Sequence, residues 1–265
     1  MKRNIVALIT DFGLKDAYVA LVKAVLYSRN PEMNVVDLTH EIPPQNIRAA
    51  AEVLSHSYAH FPKKTVFMAV VDPGVGTKRQ LLAIKTADYY FVGPDNGLFT
   101  SVLKKELVRE IRVIQNSKFF WTKSPPNTFH GRDIMAPISG ILSTSKAASI
   151  FKQLGPVTRS YQKLSEIEIQ KSSGKITGEI ISFDYFGNAM TNLSKECLAP
   201  HLWKKSTIYL ESKKVGPLSD TYHSAKRKVV AVLNSSGNLE IAEPSGSIQK
   251  AWDLKMGQKV RVFYG

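Results

Sequence analysis

The chain has 265 residues, 43% of them apolar, which is enough for one large or two modest domains with a sizeable core. No run of 18 apolar residues occurs, which excludes an apolar membrane-spanning helix. The net charge of +14 comes from scattered lysines, in pairs such as Lys63-Lys64, Lys104-Lys105 and Lys213-Lys214, with no long basic tract and no RRM, KH or zinc-finger signature, so a nucleic-acid partner is not expected.

The N-terminus reads MKRNIVALITDFG. Its apolar run, residues 5–9, is short and is followed by Asp11, so a first strand is expected rather than a signal peptide. Residues 17–29 predict a helix with Tyr18, Leu21, Val22, Val25 and Leu26 on one face, ended by Asn30-Pro31. A short strand at 35–38, a helix at 46–60 and a buried strand at 66–71 follow. The β-α-β-α-β order implies a mostly parallel sheet with both faces covered. Residues 81–85 and 89–92 predict a hairpin, 98–107 a helix, 110–114 a strand and 134–154 a helical region.

Beyond Gly155-Pro156 the pattern changes to period two, at 176–181, 207–210, 229–233, 239–242 and 259–263. Ser235-Ser236-Gly237-Asn238 separates two of these runs as a hairpin turn would. The expected organisation is an α/β domain over 1–160, a linker over 161–172 and an all-β, barrel-like domain over 173–265. The single Cys197 excludes an internal disulfide and fits a reducing cytoplasm.

The strand at 66–71 ends abruptly at Asp72-Pro73-Gly74, so a carboxylate is delivered at the carboxyl end of a buried strand, where open α/β sheets bind ligands. Arg79 follows seven residues later, near enough for the loop to fold it back onto Asp72. Asp11 likewise ends a strand, and Asp184 stands among aromatics in Phe183-Asp184-Tyr185-Phe186-Gly187-Asn188. Carboxylates with aromatic faces suit a flat, cationic ligand. Gly74-Val75-Gly76 lacks the spacing of a phosphate loop. His56 and His60 stand i, i+4 without a third ligand, so they read as exposed helix histidines and no metal is expected. No GxSxG elbow is present and Cys197 has no adjacent base.

Six segments in order, TDFG (10–13), DPGVGTKR (72–79), GPDNGLFT (93–100), FHGRD with IMAP (129–137), FDYFGNAMTN (183–192) and NSSGNLEIA (234–242), resemble one family. It is the SAM hydroxide adenosyltransferases, or adenosine-forming S-adenosyl-L-methionine (SAM) hydrolases, relatives of fluorinase and chlorinase. The resemblance implies an α/β domain followed by a small β-barrel, and attack of water or hydroxide on the ribose C5′ of SAM with loss of methionine. It places the catalytic set on Asp72, Arg79 and His130, a set that the halogenating relatives lack. It assigns the ribose hydroxyls to Asp11, the methionine ammonium to Asp184, adenine to Asn188, nucleoside packing to Phe186 and the amino-acid end to Ser235, with Asn96 and Ser245 as further contacts. The segment after Gly246, Ser-Ile-Gln-Lys-Ala-Trp, departs from the small residues that relatives often have there, and Glu243-Pro244-Ser245 departs from the halogenase pattern near adenine. A homotrimer with sites between subunits is implied, and neither metal nor organic cofactor. A halide-dependent SAM enzyme, a SAM sensor without turnover and a nucleic-acid-binding protein are the alternatives.

Overall fold

A computed structural model of the chain describes residues 4–223 and 228–265. It divides into two compact units, Met1–Leu164 and Ser165–Gly265. The first is built from β1 (Ile5–Thr10), α1 (Tyr18–Arg29), β2 (Asn34–Thr39), α2 (Ile47–Ser57), β3 (Val66–Val70), β4 (Leu81–Thr86), β5 (Tyr90–Pro94), α3 (Thr100–Lys105), β6 (Val108–Val113), α4 (Ala136–Leu142) and α5 (Ala147–Phe151).

The strands form one sheet in the order β2-β1-β3-β5-β4-β6. The pairs β1/β2, β1/β3 and β3/β5 are parallel, and β4 runs antiparallel to both β5 and β6. Alternation explains why β1 up to Ile9 and all of β3 are apolar. Val6, Leu8, Val66, Met68 and Val70 face one core with Val22, Leu26, Ile138 and Phe151 from α1, α4 and α5. Ala7, Ile9, Phe67, Ala69 and Val71 face a second core with Ala50, Leu54, Val102 and Leu103 from α2 and α3. A strand buried on both faces has no polar side.

The crossover through α1 carries the chain to one side of β1, and the crossover through α2 carries it to the other. The strand order therefore reverses between β1 and β3. Ligands in open α/β sheets bind at the carboxyl ends flanking such a reversal. Those ends are followed by Asp11 and Asp72.

The helices differ from expectation in detail. In α1 the buried residues are Val19, Val22, Val25 and Leu26, while Tyr18 and Leu21 are exposed. The buried stripe is thus rotated by about one residue from the face read in the sequence. Asn46 caps α2, accepting the Ala49 N–H at 3.0 Å, and a 3-10 turn (Tyr58–His60) completes the run. His56 is half-buried on α2, and burial lowers its pKa; His60 is exposed. The helix expected at 98–107 is only Thr100–Lys105. The region 134–154 breaks into α4 and α5, preceded by a π-helical turn, Gly131–Met135. Ser143 and Thr144 turn their hydroxyls back onto the carbonyls of Gly140 and Ile141, competing with helix propagation.

The second unit contains β7 (Gln170–Ser172), β8 (Lys175–Phe183), β9 (Ala189–Ser194), α6 (Pro200–Lys204), β10 (Thr207–Leu210), β11 (Lys213–Gly216), β12 (Val230–Leu233), β13 (Asn238–Ala242), α7 (Ile248–Ala251) and β14 (Lys259–Phe263). It is an antiparallel sheet ordered β11-β10-β14-β8-β9-β13-β12, with β7 added to β8. Leu218, just past β11, bridges Ala231 in β12, so the two ends of the sheet approach one another and the unit is barrel-like. The Asn234–Asn238 hairpin turn is present, with Gly237 at φ +81°. Strands β9 and β11 had no sequence expectation, and β7 forms within the stretch read as linker. No helix among the described residues is long and apolar enough to cross a membrane.

Candidate active site

The loop after β3 is a compact series of turns. Val75 N–H donates to the Asp72 carbonyl at 3.2 Å, and Thr77 N–H and hydroxyl donate to the Gly74 carbonyl at 3.1 and 2.7 Å. Gly76 has φ +80°, and a Cβ there would stand 2.7 Å from the Asn127 carbonyl oxygen, so only glycine suits the position. These turns bring Arg79 back onto Asp72. Its Nε donates to Oδ1 at 2.7 Å and Oδ2 at 2.8 Å, and its Nη2 also donates to Oδ2. Both side chains are largely withdrawn from solvent, at 10% exposure for Arg79 and 5% for Asp72. Such shielded, charge-assisted contacts hold geometry far better than exposed ion pairs do.

Arg79 Nη2 also lies 3.0 Å from His130 Nδ1. Guanidinium can only donate, so Nδ1 accepts and the imidazole is neutral with its proton on Nε2. Burial lowers the His130 pKa, and the Arg79 charge lowers it further against the opposing pull of Asp72 and Asp133. His130 stands at the start of the π-helical turn, which is anchored from behind by Asp133. That carboxylate is fully buried and takes Arg132 Nε at 2.7 Å and Nη2 at 2.8 Å, while its backbone carbonyl accepts the Trp121 N–H at 2.8 Å.

Asp72, His130 and Asp11 line one cavity of ≈ 280 Å³, together with Phe12, Gln45 and Phe129. Phe12, Tyr18 and Phe129 pack edge to face around it, with ring centroids 5.3–6.1 Å apart. Asp11 Oδ2 accepts the Gln45 backbone N–H at 2.9 Å. Asn96 is not among the cavity's lining residues. It donates to the Val71 carbonyl at 2.8 Å and accepts the Leu98 N–H, so it ties the loop after β5 to the end of β3. Gln45 and Phe12 carried no site expectation. The sequence signal for Phe12 is its place inside TDFG; Gln45 acts through its backbone and leaves none.

In the second unit, Asp184 and Ser235 line a separate cavity of ≈ 500 Å³ with Asp220, Asn234 and Glu240. Asn188 donates its backbone N–H to Asp184 Oδ1 at 2.8 Å and its side-chain amide to Oδ2 at 2.9 Å. Tyr185 and Phe186 are 99% and 70% exposed on the turn between them. Gly187, at φ +82°, allows that turn to approach Ser247, whose hydroxyl a Cβ would meet at 2.0 Å. Ser245 is exposed in the turn preceding α7 and does not line the cavity. Glu240, buried at 3% exposure, takes the Tyr222 hydroxyl at 2.8 Å and the Asn234 amide at 3.2 Å. Burial and this bond push the Tyr222 pKa up to about 12. Glu240 lies in the NSSGNLEIA segment, and its sequence signal is a carboxylate within a strand otherwise apolar after its first residue.

A carboxylate, a guanidinium and an imidazole thus gather beside a sheet reversal in the first unit, where α/β enzymes place their sites, and an antiparallel barrel-like unit follows. Residues 6–152 match the SAM hydroxide adenosyltransferase N-terminal domain and residues 178–261 its C-terminal domain, and the chain belongs to this family. It is 36% identical over 261 residues to an (R)-S-adenosyl-L-methionine hydrolase from Thermus thermophilus, covering 96% of this chain and 97% of that one. A second (R)-S-adenosyl-L-methionine hydrolase, from Methanocaldococcus jannaschii, is 30% identical over 98% of this chain and 96% of its own length. The crystal structure of an uncharacterized conserved protein from Thermotoga maritima superposes with a TM-score of 0.89 at 33% identity, covering 97% of this chain and 99% of that one. Fluorinases are more distant relatives, at 25–26% identity.

Proposed function

We infer that this protein is an enzyme that hydrolyses S-adenosyl-L-methionine to adenosine and L-methionine. The observation that carries the reading is the Asp72–Arg79–His130 cluster in the cavity that also holds Asp11. A water oxygen forms a bond to C5′, the C5′–S bond breaks, its electron pair returns to sulfur, and the neutral thioether of methionine leaves. One proton is released.

Asp72 orients the attacking water. Bulk water has a pKa of about 15.7, far above the range in which carboxylates accept protons, so Asp72 takes the proton late, as the O–C bond forms. Arg79 fixes Asp72 and favours hydroxide character, and neutral His130 completes the network by accepting from Arg79 and presenting Nε2–H. Holding water in line with the C–S bond contributes up to about 7–11 kcal/mol. The sulfonium loses its charge on the way to products, so a dry pocket favours the transition state over bound substrate.

Asp11 holds the ribose hydroxyls, Asn96 supports the site from the end of β3, and the cavity of the second unit takes the amino-acid end through Asp184 and Ser235. Phe186 and Asn188 face the nucleoside, with Ser245 at its margin. A homotrimer brings the half-site of one subunit's first unit to that of the next subunit's second unit. The scheme calls for no metal or organic cofactor, and the single Cys197 supports a cytoplasmic setting. The fluorinase relatives make halide the competing nucleophile. Incubation with SAM in the presence and absence of chloride and fluoride separates the two: adenosine at a halide-independent rate is expected, and a 5′-halogenated nucleoside would overturn the assignment.

A further inference from the structure

Asp11 does not hold its position alone. The segment from His40 to Gln45 wraps the turn that carries it. Gly13 N–H donates to the His40 carbonyl at 2.8 Å, and Gln45 N–H donates to Asp11 Oδ2 at 2.9 Å. Gln45 does so from a left-handed conformation, φ 65°, which a residue with a side chain adopts only where its surroundings enforce it. His40 anchors the start of this segment. It is buried at 4% exposure, and its Nδ1 shares a 2.8 Å hydrogen bond with Thr10 Oγ1, which in turn accepts the Phe12 N–H at 3.2 Å. On its other edge Nε2 lies 3.0 Å from Asp37 Oδ1 without good hydrogen-bond alignment, and Asp37 is paired with Lys23 at 2.6 Å. A buried imidazole between two polar partners is an expensive arrangement to keep for packing alone.

We infer that His40 and Thr10 are positioning residues that set the Asp11 carboxylate for recognition of a vicinal diol. The inference rests on the reading of Asp11 as the group that holds the ribose hydroxyls. Its chemistry is plain: two hydroxyls of a ribose can donate to one carboxylate only if its oxygens are fixed, and Gln45 N–H already occupies one site on Oδ2. Loss of the His40–Thr10 bond frees both loops that meet at Asp11.

The test is the binding of adenosine against 2′,3′-dideoxyadenosine by calorimetry, in the full-length protein. The wild type should prefer adenosine by about tenfold or more, the scale of a hydrogen bond to a charged group. Asp11→Asn should abolish most of that preference. His40→Leu should abolish it to the same extent, and His40→Asn, which returns a polar atom near the Nδ1 position, should restore it. Thr10→Val, an isosteric loss of the hydroxyl, carries the same expectation if His40→Leu does not fold. A merely structural role would weaken both ligands equally and leave the ratio at its wild-type value, which would overturn the inference. An Asp11→Asn protein that keeps the wild-type ratio would instead refute the ribose reading beneath it.

Discussion

At the scale of single residues, Arg79 is the group on which the site turns. It touches Asp72 through two nitrogens and His130 through one of the same two. Asp72→Asn removes the charge that Arg79 holds, and turnover should fall by about 10²-fold or more with SAM affinity kept within a few-fold. Full activity in that variant, measured by single-turnover chemistry and equilibrium binding, would remove Asp72 from the mechanism. Arg79→Lys keeps a charge but not a fork able to span two partners, so it should behave much like the Asp72 variant. His130 must stay neutral to accept from Arg79. Its pKa is lowered in the folded protein, so the acid limb of kcat should fall below about 6.5, the ordinary histidine value. The stability linked to this group has the same sign: present above the unfolded-state pKa and lost as pH falls through the lowered folded-state value. Asp72 and Arg79 were legible because a strand end, a turn and a seven-residue spacing force them together. His130 is 51 residues further on, and only a family likeness linked it to them. Gln45 was illegible, because a backbone N–H carries no residue type.

At the scale of elements, β3 and its loop decide where the chemistry sits. Gly93 in β5 lies so close to β3 that an added Cβ would stand 2.5 Å from the Ala69 carbonyl and 2.7 Å from Phe99. Gly93→Ala should therefore destabilise the first unit by about 1–3 kcal/mol or more, since neither sheet nor core has room to yield. Gly13→Ala is the contrasting case, with φ +64° and open space around the new Cβ. It should cost only the left-handed strain, about 1–2 kcal/mol. Denaturant unfolding of both variants checks the order; a larger loss for Gly13→Ala would contradict this packing. The apolar runs of β1 and β3 were legible because burial on both faces leaves no alternation to misread. The stripe of α1 was misplaced because Tyr18 and Leu21 are apolar yet exposed, and hydrophobicity alone does not say which side of a helix meets the sheet. Strand β9 went unseen because Ala189–Ser194 has no clean apolar alternation: its buried side, Ala189, Thr191 and Leu193, includes a polar residue, satisfied by the Leu239 carbonyl, and its other side includes the apolar Met190.

At the scale of the whole molecule, the surface bears large apolar side chains in both units, including Leu14, Tyr18, Tyr185 and Phe186. Scattered singly such residues are ordinary, but Tyr185 and Phe186 stand together on one turn, with ring centroids 5.9 Å apart. The proposed trimer predicts three chains per particle in light scattering, and a Tyr185→Asp, Phe186→Asp double variant that loses both assembly and turnover. A monomeric wild type with full activity would refute the shared site. The net charge of +14, spread over scattered lysines, favours solubility. In the proposed reaction, water attacks C5′ of SAM directly. The measurement that tests it is turnover of SAM in ¹⁸O-water followed by mass analysis of the nucleoside. Adenosine carrying ¹⁸O at the 5′ position, released with methionine in equal amount, is the predicted result; SAM recovered intact from a protein that binds it would contradict the claim.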